Sequence, residues 1–168
     1  MTFAELNLNP ALVQALAAAG YTEPTPVQAQ SIPVALTGFD LMVSAPTGTG
    51  KTAAFVLPAL QRLALAPVKN GRGPRVLVLT PTRELAVQVT AAVDKYCKFM
   101  RHMRTGTVLG GMPYPKQRRM LEQSLDVLVA TPGRLIDFID QGKVDFSRLE
   151  LLILDEADRM LDMGFIEP

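Results

Sequence analysis

The residues best suited to chemistry stand in one run, Ala45-Pro46-Thr47-Gly48-Thr49-Gly50-Lys51-Thr52. Glycines let backbone N–H groups close on phosphate oxygens, and a helix opening there adds favourable partial positive charge. Lys51 would reach the β and γ phosphates of a nucleoside triphosphate, and the Thr52 hydroxyl would help to hold Mg²⁺. The usual phosphate-loop pattern starts with glycine, whereas this one starts with Ala45. A second run, Leu151-Leu152-Ile153-Leu154-Asp155-Glu156-Ala157-Asp158, ends an apolar stretch in carboxylates. At the C-terminal edge of a parallel sheet, Asp155 could hold Mg²⁺ through water, and Glu156 could orient or deprotonate an attacking water. Together the two runs supply the parts for ATP or GTP hydrolysis. They neither choose the base nor name the work done.

Positioning such groups takes a sheet. Five short runs have the character of buried strands: residues 40–45, 75–80, 105–110, 126–131 and 151–155. Most are apolar at consecutive positions, which predicts a sheet covered on both faces. Helical spacing is expected over 9–19, 26–37, 50–65, 82–100 and 132–140, more weakly over 116–123, with a loop over 67–74. Strands alternating with helices predict an α/β fold: a mostly parallel β-sheet with helices on both faces.

Composition narrows the function. The chain has 168 residues, 48% of them hydrophobic and 20% charged, which suits one globular domain and excludes a disordered chain. Net charge is +1, so a nucleic acid would have to be met by a local surface and not by bulk charge. Cys97 is the single cysteine and His102 the single histidine, which leaves no disulfide framework, no histidine-rich metal site and no Ser-His-Asp triad as an expectation. Cys97 reads as packing, His102 as a surface residue near a helix end, and Lys116, Arg118 and Arg119 as a solvated helix face. No secretory leader and no uncharged run of membrane-spanning length is visible, so the expected location is cytoplasmic, with no membrane partner.

Taken together, the motifs resemble those of the DEAD-box ATP-dependent RNA helicases, specifically the N-terminal RecA-like domain of bacterial-type members, over essentially all of residues 1–168. Asp155-Glu156-Ala157-Asp158 spells the family's name, and the leading Ala45 matches its form of the P-loop. Gly20-Tyr21-Thr22-Glu23-Pro24-Thr25-Pro26-Val27-Gln28 resembles the Q motif, with the isolated upstream aromatic at Phe3, in the region 1–29. Pro81-Thr82-Arg83-Glu84-Leu85-Ala86 is similar to motif Ia, Gly110-Gly111 to the GG doublet, and Thr131-Pro132-Gly133-Arg134 to motif Ib.

The resemblance implies roles that spacing alone does not give. Residues Ala45 to Thr52 would bind ATP with Mg²⁺, Gln28 would read the adenine edge, Tyr21 would pack near the base and Phe3 would support that pocket. Lys51, Asp155 and Glu156 would be catalytic, with Thr52 and Asp155 holding Mg²⁺ partly through water. Pro81, Thr82, Arg83, Gly110, Gly111, Thr131, Pro132, Gly133 and Arg134 would line an RNA path through backbone contacts that carry no sequence information. Asp158 would couple the nucleotide and RNA sites.

Family members continue to a Ser-Ala-Thr motif and a second RecA-like domain, absent from this sequence. The expectation is therefore a piece of a longer enzyme that binds adenine nucleotide, hydrolyses it poorly, does not unwind RNA, and can self-associate through an uncovered sheet edge. Two other readings are a stand-alone nucleotide- or RNA-binding regulatory module and a P-loop ATPase acting on DNA.

Overall fold

The computed structural model describes all residues except 47, 49, 66–69 and 165–168. Its backbone contacts gather into two compact units, one comprising the described residues of Met1–Pro67 and Ala92–His102, the other those of Val68–Ala91 and Met103–Pro168.

The first unit is helical. A 3-10 turn, Phe3–Leu6, leads into α1 (Pro10–Ala18), α2 (Pro26–Leu36) and α3 (Lys51–Leu65). Local sequence starts each of the first two helices. The Asn9 side chain accepts from the Ala11 N–H at 2.9 Å with Pro10 in the first turn, where its missing N–H costs nothing. For α2 the start is a capping box: the Gln28 side-chain oxygen accepts from the Thr25 N–H at 3.0 Å, and the Thr25 hydroxyl accepts from the Gln28 N–H. Phe3, Leu6, Leu12, Leu16, Ile32, Leu57 and Leu60 are buried, so the apolar face of each element meets the others.

The second unit is a parallel sheet of β1 (Val76–Leu79), β2 (Thr105–Val108), β3 (Val127–Ala130) and β4 (Leu151–Leu154) in the order β2-β3-β1-β4. Val76 registers with Val127 and Leu151, and Thr105 with Val127. Helix α4 (Arg83–Tyr96) follows β1, α5 (Tyr114–Leu121) follows β2, α6 (Pro132–Asp140) follows β3 and α7 (Ala157–Asp162) follows β4. Leu77, Val108, Leu128 and Ala130 form one face and pack with Leu121 of α5 and with Leu135 and Phe138 of α6. On the opposite face Thr90 of α4 meets Thr107 of β2, hydroxyl to hydroxyl at 3.2 Å. Helices thus lie against both faces of the sheet, as the continuous apolar runs of its strands predict.

Two expectations need correction. Residues 40–46 form no strand: Leu41, Met42 and Val43 are exposed, Met42 at 96%. An apolar run becomes a strand only when a neighbour takes its N–H and C=O groups, and among the described residues none pairs with it. Helix α5 begins at Tyr114 and ends at Leu121, two residues ahead of the expected 116–123, because Pro115 fits the first turn of a helix. The expected loop 67–74 lies partly outside the described residues.

Candidate functional site

A parallel sheet points the C-terminal ends of all its strands to one edge, and four of the expected motifs follow those ends. Pro81, Thr82 and Arg83 follow β1; Gly110 and Gly111 follow β2; Thr131, Pro132, Gly133 and Arg134 follow β3; Asp155, Glu156 and Asp158 follow β4. The strand order therefore sets the three candidate RNA segments side by side, with the acidic pair after the outermost strand.

Hydrogen bonds tie those segments together. The Thr82 hydroxyl accepts from the Leu85 N–H at 3.3 Å and so caps α4, putting Arg83 in its first turn. Gly111 has φ +79, which a side chain resists, and a Cβ there would come within 2.8 Å of the Arg83 guanidinium. The Gly110 N–H donates to the Thr131 hydroxyl at 3.4 Å. Arg134 donates through Nη1 to the Met112 carbonyl at 2.6 Å and to Gln117 Oε1 at 3.0 Å, with its guanidinium 3.8 Å from the centre of the Tyr114 ring. The Tyr114 hydroxyl donates to Asp137 at 2.7 Å, and that bond holds the phenol above its ordinary pKa. Pro132 is buried at the start of α6, while Gly133 is exposed.

The acidic end is built differently. Asp155 is 7% exposed, and its backbone N–H donates to the Leu79 carbonyl at 2.9 Å, extending the ladder into the acidic loop. Glu156 adopts φ 54 and ψ 50, a left-handed conformation that costs a non-glycine residue about 1 kcal/mol or more. Its Oε2 is buried without a hydrogen bond among the described residues, and lies 3.5 Å from Arg159 Nη1 as an ion pair. Asp158 is exposed in the first turn of α7.

In the helical unit, Lys51 and Thr52 open α3. Gly48 and Gly50 have φ +84 and +86, a backbone region that favours glycine. Gln28, 6% exposed, donates from Nε2 to the Gly50 carbonyl at 3.0 Å while its oxygen closes the α2 capping box. The Q motif and the phosphate loop are thereby joined through one carboxamide. A Cβ on Gly50 would collide with that side chain. Tyr21 is exposed, its ring 6.4 Å from that of Tyr96 and its hydroxyl 3.2 Å from Lys95 Nζ; Phe3 is buried in the helical core. Burial raises the Tyr96 phenol to a pKa of about 12, with Tyr21 adding to the shift. Ala45, half-buried, and Pro46, exposed, precede the loop, whereas Thr47 and Thr49 lie outside the described residues.

No group of three or more histidine, cysteine, aspartate or glutamate side chains gathers among the described residues. No helix among the described residues is long and apolar enough to cross a membrane.

Sequence reasoning passed over Gln117 and Tyr114. Gln117 stands between Lys116 and the arginines Arg118 and Arg119, and the charges drew the reading. Its position four residues before the buried Leu121 was the available signal, since it puts a polar group on the apolar stripe of α5.

A parallel α/β sheet carrying loop motifs at its C-terminal edge, in a chain with a Gly-Lys-Thr loop opening a helix, defines a P-loop nucleotide-binding domain. More narrowly, the chain belongs to the DEAD/DEAH box helicase family, whose pattern matches residues 25–168. It is 49% identical over 166 residues to the ATP-dependent RNA helicase SrmB of Escherichia coli, covering 99% of this chain and 37% of that protein. It is 47% identical over 171 residues to the ATP-dependent RNA helicase RhlB of Xanthomonas campestris, covering 99% and 30%. The ATP-dependent RNA helicase DeaD of Buchnera aphidicola is 48% identical over 166 residues, covering 99% and 27%. The chain thus spans little more than a third of the length of these relatives, or less. The sheet and its covering helices are the RecA-like fold expected from the motifs.

Proposed function

We propose that this chain is the ATP-binding half of an RNA-dependent ATPase that remodels RNA in the cytoplasm. The observation that carries the reading is the strand order, which gathers motif Ia, the GG doublet and motif Ib at one edge of the sheet, with the acidic motif after the edge strand β4. Backbone N–H groups, threonine hydroxyls and Arg83 there suit a phosphate backbone, which would be held without regard to base sequence. Lys51 and the N–H groups of the phosphate loop bind the β and γ phosphates. Thr52 and Asp155 hold Mg²⁺, which supplies charge neutralisation on the phosphates when bound. Glu156 orients or deprotonates the attacking water, and the strained backbone that fixes it supports that role. Asp158 couples the two sites.

Gln28 spends one N–H and one lone pair on Gly50 and Thr25, and a carboxamide has a second of each for an adenine edge. Tyr21, exposed beside Lys95, offers a face to the base, and the buried Phe3 supports that pocket. In this reading a second RecA-like domain completes the ATP site and the RNA groove, so the 168-residue chain binds nucleotide but turns it over slowly and does not unwind. The uncovered edge at β4, with Leu152 and Leu154 exposed, supports self-association of the isolated chain.

Calorimetric titration with ADP and with GDP, both with Mg²⁺, tests the reading. ADP is expected to bind and GDP not, and Gln28→Glu, which cannot donate to Gly50, is expected to weaken ADP about tenfold. Equal binding of ADP and GDP overturns the role of Gln28, and a chain that binds neither while folded overturns the proposal.

A further inference from the structure

The reading of the sheet edge as an RNA path leaves open what holds its most glycine-rich segment in shape. Residues 109–112 follow β2 with two adjacent glycines, one at φ +79, and glycines do not hold a conformation by themselves. Two side chains converge on this segment from elsewhere. Gln117, 5% exposed on α5, donates from Nε2 to the Leu109 carbonyl at 3.1 Å and accepts from Arg134 Nη1 at 3.0 Å. The same Nη1 donates to the Met112 carbonyl at 2.6 Å. One carboxamide and one guanidinium nitrogen therefore grip the segment at both ends, at Leu109 and at Met112. The Tyr114 ring lies against the guanidinium, and its hydroxyl is held by Asp137 of α6, which keeps Arg134 turned toward the segment.

We infer that Gln117 is a positioning residue for RNA binding, which sets the 109–112 segment against Arg134 so that its backbone meets the phosphates, and that Arg134 serves this clamp through its committed Nη1. The inference rests on the reading of this edge as an RNA path. Chemistry makes Gln117 hard to replace. It must donate to a carbonyl and accept from a cation with one buried group, which a carboxylate or an apolar side chain cannot do. Sharing one guanidinium also means that Gln117 and Arg134 act as a unit and not as two independent contacts.

The test uses the full chain and the variants Gln117→Met, Gln117→Glu, Arg134→Met and the Gln117→Met/Arg134→Met double. Amide hydrogen exchange over residues 109–112 is followed without RNA, and affinities are measured for a single-stranded oligouridylate and for ADP. Gln117→Met is expected to speed exchange of the segment and to weaken RNA about tenfold while leaving ADP affinity unchanged. Gln117→Glu keeps the acceptor for Arg134 and is expected to recover part of the RNA affinity, a rescue that a role in packing alone would not give. The double variant is expected to bind RNA no more weakly than the worse single one. Unchanged exchange in Gln117→Met, or losses that multiply in the double variant, would overturn the clamp. A segment that loosens as expected in a chain whose unmodified form holds no RNA would overturn the RNA reading of the edge, and the positioning role with it.

Discussion

The two edges of the same sheet are built on opposite terms. At the N-terminal edge, Arg75 is 2% exposed, paired with Glu150 at 2.7 Å and near Asp126 at 4.0 Å. Close by, Arg148 donates to the carbonyls of Gly73 and Leu125 and to the Ser124 hydroxyl. Two guanidinium groups are thus buried there only because carboxylates and carbonyls surround them. The C-terminal edge has the reverse character: exposed glycines, a left-handed glutamate and a carboxylate oxygen without a hydrogen bond. Polar groups are enclosed by partners where the sheet needs only to stay closed, whereas strain and exposed glycines gather at the edge that carries the motifs.

The sharpest way to break that contrast is at Arg75. Arg75→Ala removes one side of the buried Arg75–Glu150 pair and is expected to cost about 3–5 kcal/mol in urea unfolding. A loss comparable to that of a surface ion pair would show that the N-terminal edge is not a buried network. Next in size is Gly73→Ala. An added Cβ would run into the Asp145 carbonyl, a backbone atom that cannot swing aside, so a loss of about 1–3 kcal/mol is expected in the same assay.

Glu156→Asn should act the other way. Asparagine tolerates the left-handed conformation better, so a gain of about 0.5–1 kcal/mol is expected, together with loss of any ATP turnover on the function proposed above. No gain in stability would mean that the strain is relieved elsewhere in the loop.

The smallest effects are those of pH, and they separate the edges. The Asp145 carboxylate accepts from the Ser147 N–H, which lowers its pKa below the usual 3.8. Its contribution to stability is present above pH 3.8 and is lost as pH falls through the lower folded value. Tyr114, bonded to Asp137, has its pKa raised above 10.0, so its contribution is present below pH 10 and is lost as pH rises through the higher folded value. Urea midpoints of Asp145→Asn and Tyr114→Phe against the parent should converge at the acid end for the first and at the alkaline end for the second.

How far sequence could go follows the same division. The motif loops were legible because chemistry restricts their residue types, and α6 was placed at 132–140 because Thr131-Pro132 starts a helix and its apolar spacing continues it. Residues 40–45 misled because apolarity reports the wish to be buried and not the presence of a partner strand. Gln117 stayed hidden because its worth lies in two partners, Leu109 and Arg134, which only the fold brings to it.

The parallel pairing has a consequence for how such a chain is made. The central strand β1 finds its partners about fifty residues later in β3 and about seventy-five later in β4. At ribosomal speeds of about 5–20 residues per second, Val76-Leu77-Val78-Leu79 waits several seconds with no strand to join. The order of synthesis thus runs against the order of assembly. The four-stranded sheet can close only after β4 has been made, and until then this apolar segment is the one a holding chaperone would protect during translation.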